Sequence, residues 1–330
     1  MKVIVKSLIS KANFALGRNP RIESSGELNT EKYIPRPYDA VFILSADFEL
    51  AWAWRFAKGF QNPKDAAIKR ARIARTNIPK ILKLCDTYNI PITWATVGHL
   101  LLEECKKDGG KPHSALKRQQ YYENQYWRYE DGDWFDADPC SNWESSPEWY
   151  APDLIRMIIR SKTAHEVACH TFSHIDCRDA VCSAEILIGE LKECKKYAHE
   201  YGIELESFVH PGHMIGNLDV IEAEGFSSFR SAYDNVLGYP TKHSSGLWEL
   251  KGTMELYHRK EWSVGYHIYR YNKVIERAMK HRRVCYFWFH PSMSATFIDQ
   301  IMPAVFQYVA ANRDRLLVTT TSNYLKMIPE

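Results

Sequence analysis

Strand-like apolar runs, four of them ending on an acid or a histidine, recur along this chain, and stretches of helical period separate them. The runs lie near 40–47, 91–97, 166–170, 206–210, 226–230, 284–290 and 315–319. Short buried strands alternating with amphipathic helices argue for parallel strands joined by crossovers. Alternation alone allows an open doubly wound sheet or a closed barrel. In a barrel, the loops that follow the strands gather on one face. The polar residues that repeatedly close these runs therefore predict one shared mouth.

Ile78, Ile81, Leu82, Cys85 and Tyr88 recur at helical spacing and predict an amphipathic helix over 76–89, after which Pro91 opens a strand. Further helices are expected over 180–201, ended near Gly202, and over 269–281 and 296–312. Residues 105–150 break the rhythm, with tyrosines and tryptophans among acids and amides and no clean period. Ring faces beside polar groups suit a carbohydrate groove; the same composition suits a long loop anchored by its aromatics.

His170 and His174, in HEVACHTFSH, follow one of the strand-like runs, and Asp47 and Glu49 close another, AVFILSADFE. An i,i+4 histidine pair can bring two imidazole nitrogens onto one ion while a carboxylate from a neighbouring strand supplies an oxygen. Asp47 and Glu49 are two apart, so on an ideal strand both face the same way. Which of them holds the ion stays open. LESFVH running into Pro211–Met214, and RVCYFWF ending on His290, repeat the pattern downstream. Cys177 and Cys182 fit no usual zinc spacing with His174, and His99 reads as a helix cap or a wall residue.

Taken in order, Asp47-x-Glu49 followed by Trp52, NIPKILKLCDTYNIPITWATVGH, HEVACHTFSH, ESFVHPGHMIGNLDVIEAEGF and YFWFHP resemble the polysaccharide deacetylase family, carbohydrate esterase family 4, over roughly 38–325. The likeness is nearest to the branch with intracellular peptidoglycan deacetylase-like and allantoinase-like amidohydrolases. It implies a distorted seven-stranded (β/α) barrel over 38–330 as a single domain, behind an N-terminal extension 1–37 and interrupted by the insertion 105–150. It also implies a metal-dependent hydrolase of a C–N bond that deacetylates an N-acetylated sugar. In that reading one divalent ion, most simply Zn²⁺, is held by Glu49, His170 and His174, with Asp47 as base and His290 as acid. Trp52, His210, His213 and the insertion's Trp127, Trp134 and Trp143 are the expected substrate contacts. The family's third motif carries an arginine that orients the base, and here the matching stretch is His210-Pro211-Gly212-His213. Either His210 or His213 takes that role, or Arg230 reaches in from the next strand, or the chemistry differs. A cyclic-amide hydrolase and an inactive metal- or sugar-binding member are the alternatives.

At 330 residues and 45% apolar, the chain can bury one large α/β core. A net charge of +3 is too mild to imply nucleic acid or an anionic membrane as partner. Lys2, Lys6 and Lys11 interrupt the apolar N-terminus, so no signal peptide is expected, and no apolar run approaches the ~20 residues of a membrane span. Eight scattered cysteines, several within apolar runs, suit reduced thiols and a cytoplasmic setting. The expected partner is a small molecule or an oligosaccharide, with homo-oligomerisation left open.

Overall fold

Val41, Ile43 and their neighbours sit in a strand where every residue is buried, so the run is continuously apolar rather than alternating, as a strand covered on both faces requires. The computed structural model describes residues 2–24, 30–231 and 235–329. In the main sheet, the strands are β1 (Ala40–Phe48), β2 (Thr93–Thr96), β3 (Glu166–Cys169), β4 (Ser207–Val209), β5 (Ser228–Ser231), β6 (Thr241–Lys242), β7 (Trp248–Lys251), β8 (Met254–Glu255), β9 (Val284–Phe289) and β10 (Leu316–Thr319). Their order is β6-β7-β5-β4-β3-β2-β1-β9-β8, with β10 beside the first half of β1. Every pairing is parallel except that of β6 with β7.

The sheet curls. One run of chain, 248–255, pairs with β5 through β7 and, past Gly252 and Thr253, with β9 through β8. Curling divides the packing in two. Phe42, Leu44, Ala46 and Phe48 face the layer of helices, whereas Val41 and Ile43 face a second cluster with Leu250, Val284, Tyr286 and Tyr324.

All seven runs expected from sequence are strands. The run 248–255 escaped notice because Trp248, Glu249, Lys251 and Glu255 are only partly buried and Gly252 interrupts the pattern. The four expected helices are α1 (Pro63–Tyr88), α2 (Ala184–Glu200), α3 (Val264–His281) and α4 (Met302–Ala311), the last preceded by a π-helical turn over Phe297–Ile301. α1 begins well before residue 76. Its first turns bury Ala67, Ala71 and Ala74, which are too small to print an apolar stripe, while Asn62 caps it by accepting from the Asp65 N–H and Pro63 fills its first turn. The insertion holds two short hairpins, Lys107–Asp108 with Lys111–Pro112 and Tyr122–Glu123 with Arg128–Tyr129.

Gly98 opens the turn after β2 where a side chain has no room. A Cβ there would lie 2.6 Å from Cys194 Sγ and 3.2 Å from the Phe172 Cα. Gly98→Ala is therefore expected to cost about 1–3 kcal/mol through overpacking, read as a lowered urea midpoint; an unchanged midpoint would contradict this packing.

Candidate active site

Odd-numbered positions of β1 point into the curl, and their chemistry changes along the strand. Val41 and Ile43 are apolar; Ser45, Asp47 and then Glu49, one residue past the strand, are polar and buried. Other strands do the same at their C-terminal ends. Arg230 comes from β5, His170 follows β3, Glu255 ends β8 and His290 follows β9. Parallel pairing puts all these ends at one mouth.

Glu49 Oε1 lies 3.1 Å from His170 Nε2 and 3.1 Å from His174 Nε2. His170 Nδ1 lies 2.7 Å from the Val209 carbonyl, which can only accept, so Nδ1 carries the proton and Nε2 presents its lone pair. Burial lowers the pKa of His174 to about 4 although Glu49 opposes this, which leaves a neutral imidazole. Burial also opposes the charge on Glu49, yet the surrounding histidines hold its carboxyl well below the usual range. Two imidazole nitrogens and a carboxylate thus converge with their ligand atoms all within 4.8 Å of one another. A divalent cation fits this donor set, which otherwise brings a lone pair against a carboxylate.

Asp47 is held differently. Arg230 donates from Nη1 to Oδ1 and from Nη2 to Oδ2, each at 2.7 Å, and from Nη1 to Ser45 Oγ at 2.8 Å. Burial works against the Asp47 charge, but the guanidinium outweighs it and keeps the carboxyl below its ordinary pKa. Of His210, His213 and Arg230, it is Arg230 that reaches Asp47. His290 Nε2 stands 3.7 Å from Glu49 Oε2, and its Nδ1 stands 3.5 Å from Glu255 Oε1. Burial disfavours the charged ring, yet Glu49, Glu255 and Asp47 together raise its pKa to about 9.

Asp47, Glu49, His174, Glu255 and His290 line a cavity of about 340 Å³ walled by Trp54, Tyr126, Trp127, His213 and Trp288. The Trp127 ring stands edge-on to His174 at 5.1 Å and lies against Gly212, where a Cβ would come within 2.5 Å of it. A larger depression of about 800 Å³ around Asp86, Asp153 and Arg160 holds no such cluster.

Of the expected substrate contacts, Trp127 and His213 reach the cavity and four do not. His210 follows Phe208 in parity, so its ring turns outward among Phe208 and Phe229 and its Nε2 meets the Gly216 carbonyl at 3.2 Å. Trp52 is fully buried and donates to the Trp149 carbonyl. Trp134 is buried beneath Arg55 and donates to Ser173 Oγ at 2.9 Å. Trp143 sits at the insertion's base, its N–H bonded to the Glu103 carbonyl. Glu255, Trp54 and Trp288 were missed as cavity residues.

No protein-family model matches the chain, and no curated protein matches its sequence. Solved structures with this fold do match. A Mycobacterium smegmatis protein assigned to the polysaccharide deacetylases superposes with a TM-score of 0.62 at 14% identity, covering 89% of this chain and 91% of that one. A Pseudomonas aeruginosa PAO1 protein with the same assignment gives 0.61 at 11% identity, covering 92% and 95%. Puue allantoinase gives 0.62 at 12% identity, covering 92% and 95%. The chain therefore has the α/β fold of these deacetylases and of the allantoinase, with a curled sheet consistent with their barrel.

Removing one partner of a buried ion pair strands the other. Arg230→Ala is expected to cost about 3–5 kcal/mol, and adding Asp47→Asn should recover part of the loss; a single variant with the wild-type urea midpoint would refute the pairing's role.

Proposed function

We propose that the chain is a metal-dependent hydrolase of a C–N bond which removes the acetyl group from an N-acetylated sugar. The observation that carries this reading is the division of labour between two acids. Glu49 Oε1 faces both histidine nitrogens, while both oxygens of Asp47 are taken up by Arg230. Glu49, His170 and His174 would hold the ion, most simply Zn²⁺ for two imidazoles and a carboxylate. When bound, such an ion polarises an amide carbonyl and lowers the pKa of water.

The chain's own groups supply the proton transfers. Asp47, kept ionised and fixed in orientation by Arg230, accepts the proton of the attacking water. His290, beside Asp47 at the end of the neighbouring strand β9, carries a proton and delivers it to the departing nitrogen. Glu255, 3.5 Å from His290 Nδ1, fixes the ring from its other side. His213 and the rings of Trp54, Trp127 and Trp288 form an apolar collar that suits a sugar face. Arg230 on Asp47 removes the main motive for reading the chain as an inactive member.

The likeness to proteins assigned as deacetylases supports the same chemistry, and with it a distorted seven-stranded barrel in which 248–255 counts as one bent strand. A cavity of about 340 Å³ favours a monosaccharide unit or a nucleotide-linked sugar over a long polymer lying across the mouth. We place the protein in the cytoplasm on its unpaired thiols, and we expect neither nucleic acid nor a membrane as partner. No helix among the described residues is long and apolar enough to cross a membrane.

Metal-loaded protein is expected to release acetate from one member of a panel of N-acetylated sugars and nucleotide sugars. Consumption of a cyclic amide such as allantoin, without acetate, would instead move the reading to ring opening. Asp47→Asn should keep the ion and lose a factor of order 10²–10⁴ in rate, whereas Glu49→Gln should lower the bound metal itself; reversed phenotypes would exchange the two roles.

The insertion gives a second test. Trp127→Ala is expected to raise KM more than it lowers kcat, because a wall is lost and the chemical groups stay. Trp143→Ala, away from the cavity, should leave both constants near wild type, and an equal effect of the two would remove Trp127 from the substrate wall.

A further inference from the structure

The insertion folds back on the turn after β2 and brings together four side chains that the proposed reaction does not use. His99 Nε2 lies 3.0 Å from His113 Nε2, and the two nitrogens lie 3.0 and 3.2 Å from the same oxygen, Asp138 Oδ2. Cys105 Sγ lies 3.4 Å from His113 Nε2. The four ligand atoms are all within 4.8 Å of one another, and only His113 is more than marginally exposed. We propose that His99, Cys105, His113 and Asp138 form a second metal site, of a type suited to zinc, that clamps the insertion to the body of the fold.

Proton counting identifies which groups would give way to a cation. His99 Nδ1 lies 3.3 Å from the Trp149 carbonyl, so the ring's proton belongs there and Nε2 faces Asp138 with a lone pair. Burial holds His99 below the ordinary imidazole range even beside Asp138, which keeps that ring neutral. Burial and Asp138 also push the Cys105 thiol up, so its thiolate forms when a cation takes the place of the proton. The Nε2 proton of His113 and the thiol proton of Cys105 can occupy this point, and a cation displaces both and takes all four atoms as ligands.

The dimensions agree. Zinc bonds of about 2.0–2.3 Å in tetrahedral array put neighbouring ligand atoms about 3.3–3.7 Å apart, so the 3.4 Å between Cys105 and His113 already fits and the spacings of 3.0, 3.0 and 3.2 Å among His99, His113 and Asp138 need to widen by only a few tenths of an ångström. Outer partners are in place too, as metal ligands require. The second oxygen of Asp138 accepts from Tyr150 O–H at 2.6 Å and from the Cys140 N–H at 2.9 Å. A cavity of about 270 Å³ opens onto Cys105 and His113 and gives an ion its way in.

The clamp reaches the loop that follows Glu49. The His99 ring packs on Trp52 with centroids 4.4 Å apart, and the Trp149 carbonyl that takes the His99 proton also accepts from Trp52 Nε1. The ion is structural in this placement, since four protein ligands leave no position for substrate.

Cobalt separates this site from the one at Glu49, because only here is a thiolate available. The full-length protein, reduced and stripped of metal, is titrated with Co²⁺ and followed in the near ultraviolet for the thiolate-to-cobalt charge-transfer band. The band should appear in the wild type, persist in His170→Ala/His174→Ala and in Cys140→Ser, and vanish in Cys105→Ser. Zinc content by elemental analysis should fall by one equivalent per chain in His113→Ala. No band in the wild type, or a band that survives Cys105→Ser, overturns the assignment. Since the band does not depend on His170 or His174, a failure of the hydrolase reading leaves this test intact.

Discussion

Arg230 and Asp47 stand on β5 and β1, which are not neighbours in the sheet, yet their side chains meet as a two-bond fork with Arg230 2% and Asp47 4% exposed. A charge taken that far out of water is tolerated only with a partner and with its remaining hydrogen bonds made. The fork can close only if the sheet curls until strands four places apart, with three strands between them, face each other. The polar upper ends of the strands are thereby made dependent on the curl that the apolar lower ends, Val41, Ile43, Val284 and Tyr286, produce by packing. Asp47, locked by this pair, is not free to reach the histidines. Glu49, one residue beyond the strand, is left to them.

Two nearby acids so placed differ in what can be asked of them. A carboxylate whose oxygens both accept from one guanidinium has fixed geometry and constant charge, which serves a proton acceptor. One whose oxygen faces two imidazole nitrogens has its charge compensated by histidine protons or by an ion, which serves a ligand. The neighbouring residue types do not distinguish the two acids, because both side chains share one face of β1. The residue that sets their surroundings apart, Arg230, lies 183 positions away.

That distance also marks where the sequence stops being legible. Strands and helices were readable because burial imposes a local period, and the ends carrying Asp47, Glu49, His170 and His290 were readable because polar residues closed apolar runs. Parity was not. Whether His210 faces the cavity or the helices depends on which of Phe208 and Val209 packs outward, and both are apolar. Glu255 hid in a run broken by Gly252. His99, Cys105, His113 and Asp138 are separated by irregular loop of unequal lengths, so no spacing announces them; only folding of the insertion brings them to one point. The insertion's tryptophans divide for the same reason, since aromatic composition does not say which ring faces a cavity and which a core.

The histidine pair itself illustrates how far i,i+4 spacing underdetermines geometry. His170 and His174 converge on Glu49 from a loop, and the loop manages this by putting Thr171 and His174 at positive φ, +57° and +59°. Such a conformation costs a non-glycine residue of order 1–3 kcal/mol and persists only where its surroundings over-determine it. Ser173, between them, is fully engaged: its N–H and Oγ bond the buried Glu190, its Oγ accepts from Trp134 Nε1, and its carbonyl accepts from Arg55. The Thr171 hydroxyl accepts from the Ile175 N–H. Trp134 comes from the insertion, Glu190 from α2 and Arg55 from the loop after β1, so three separate elements hold one strained turn. The insertion's deepest tryptophan thus acts on the site from behind. It fixes the backbone that aims His174, while Trp127, from the same insertion, closes the cavity in front.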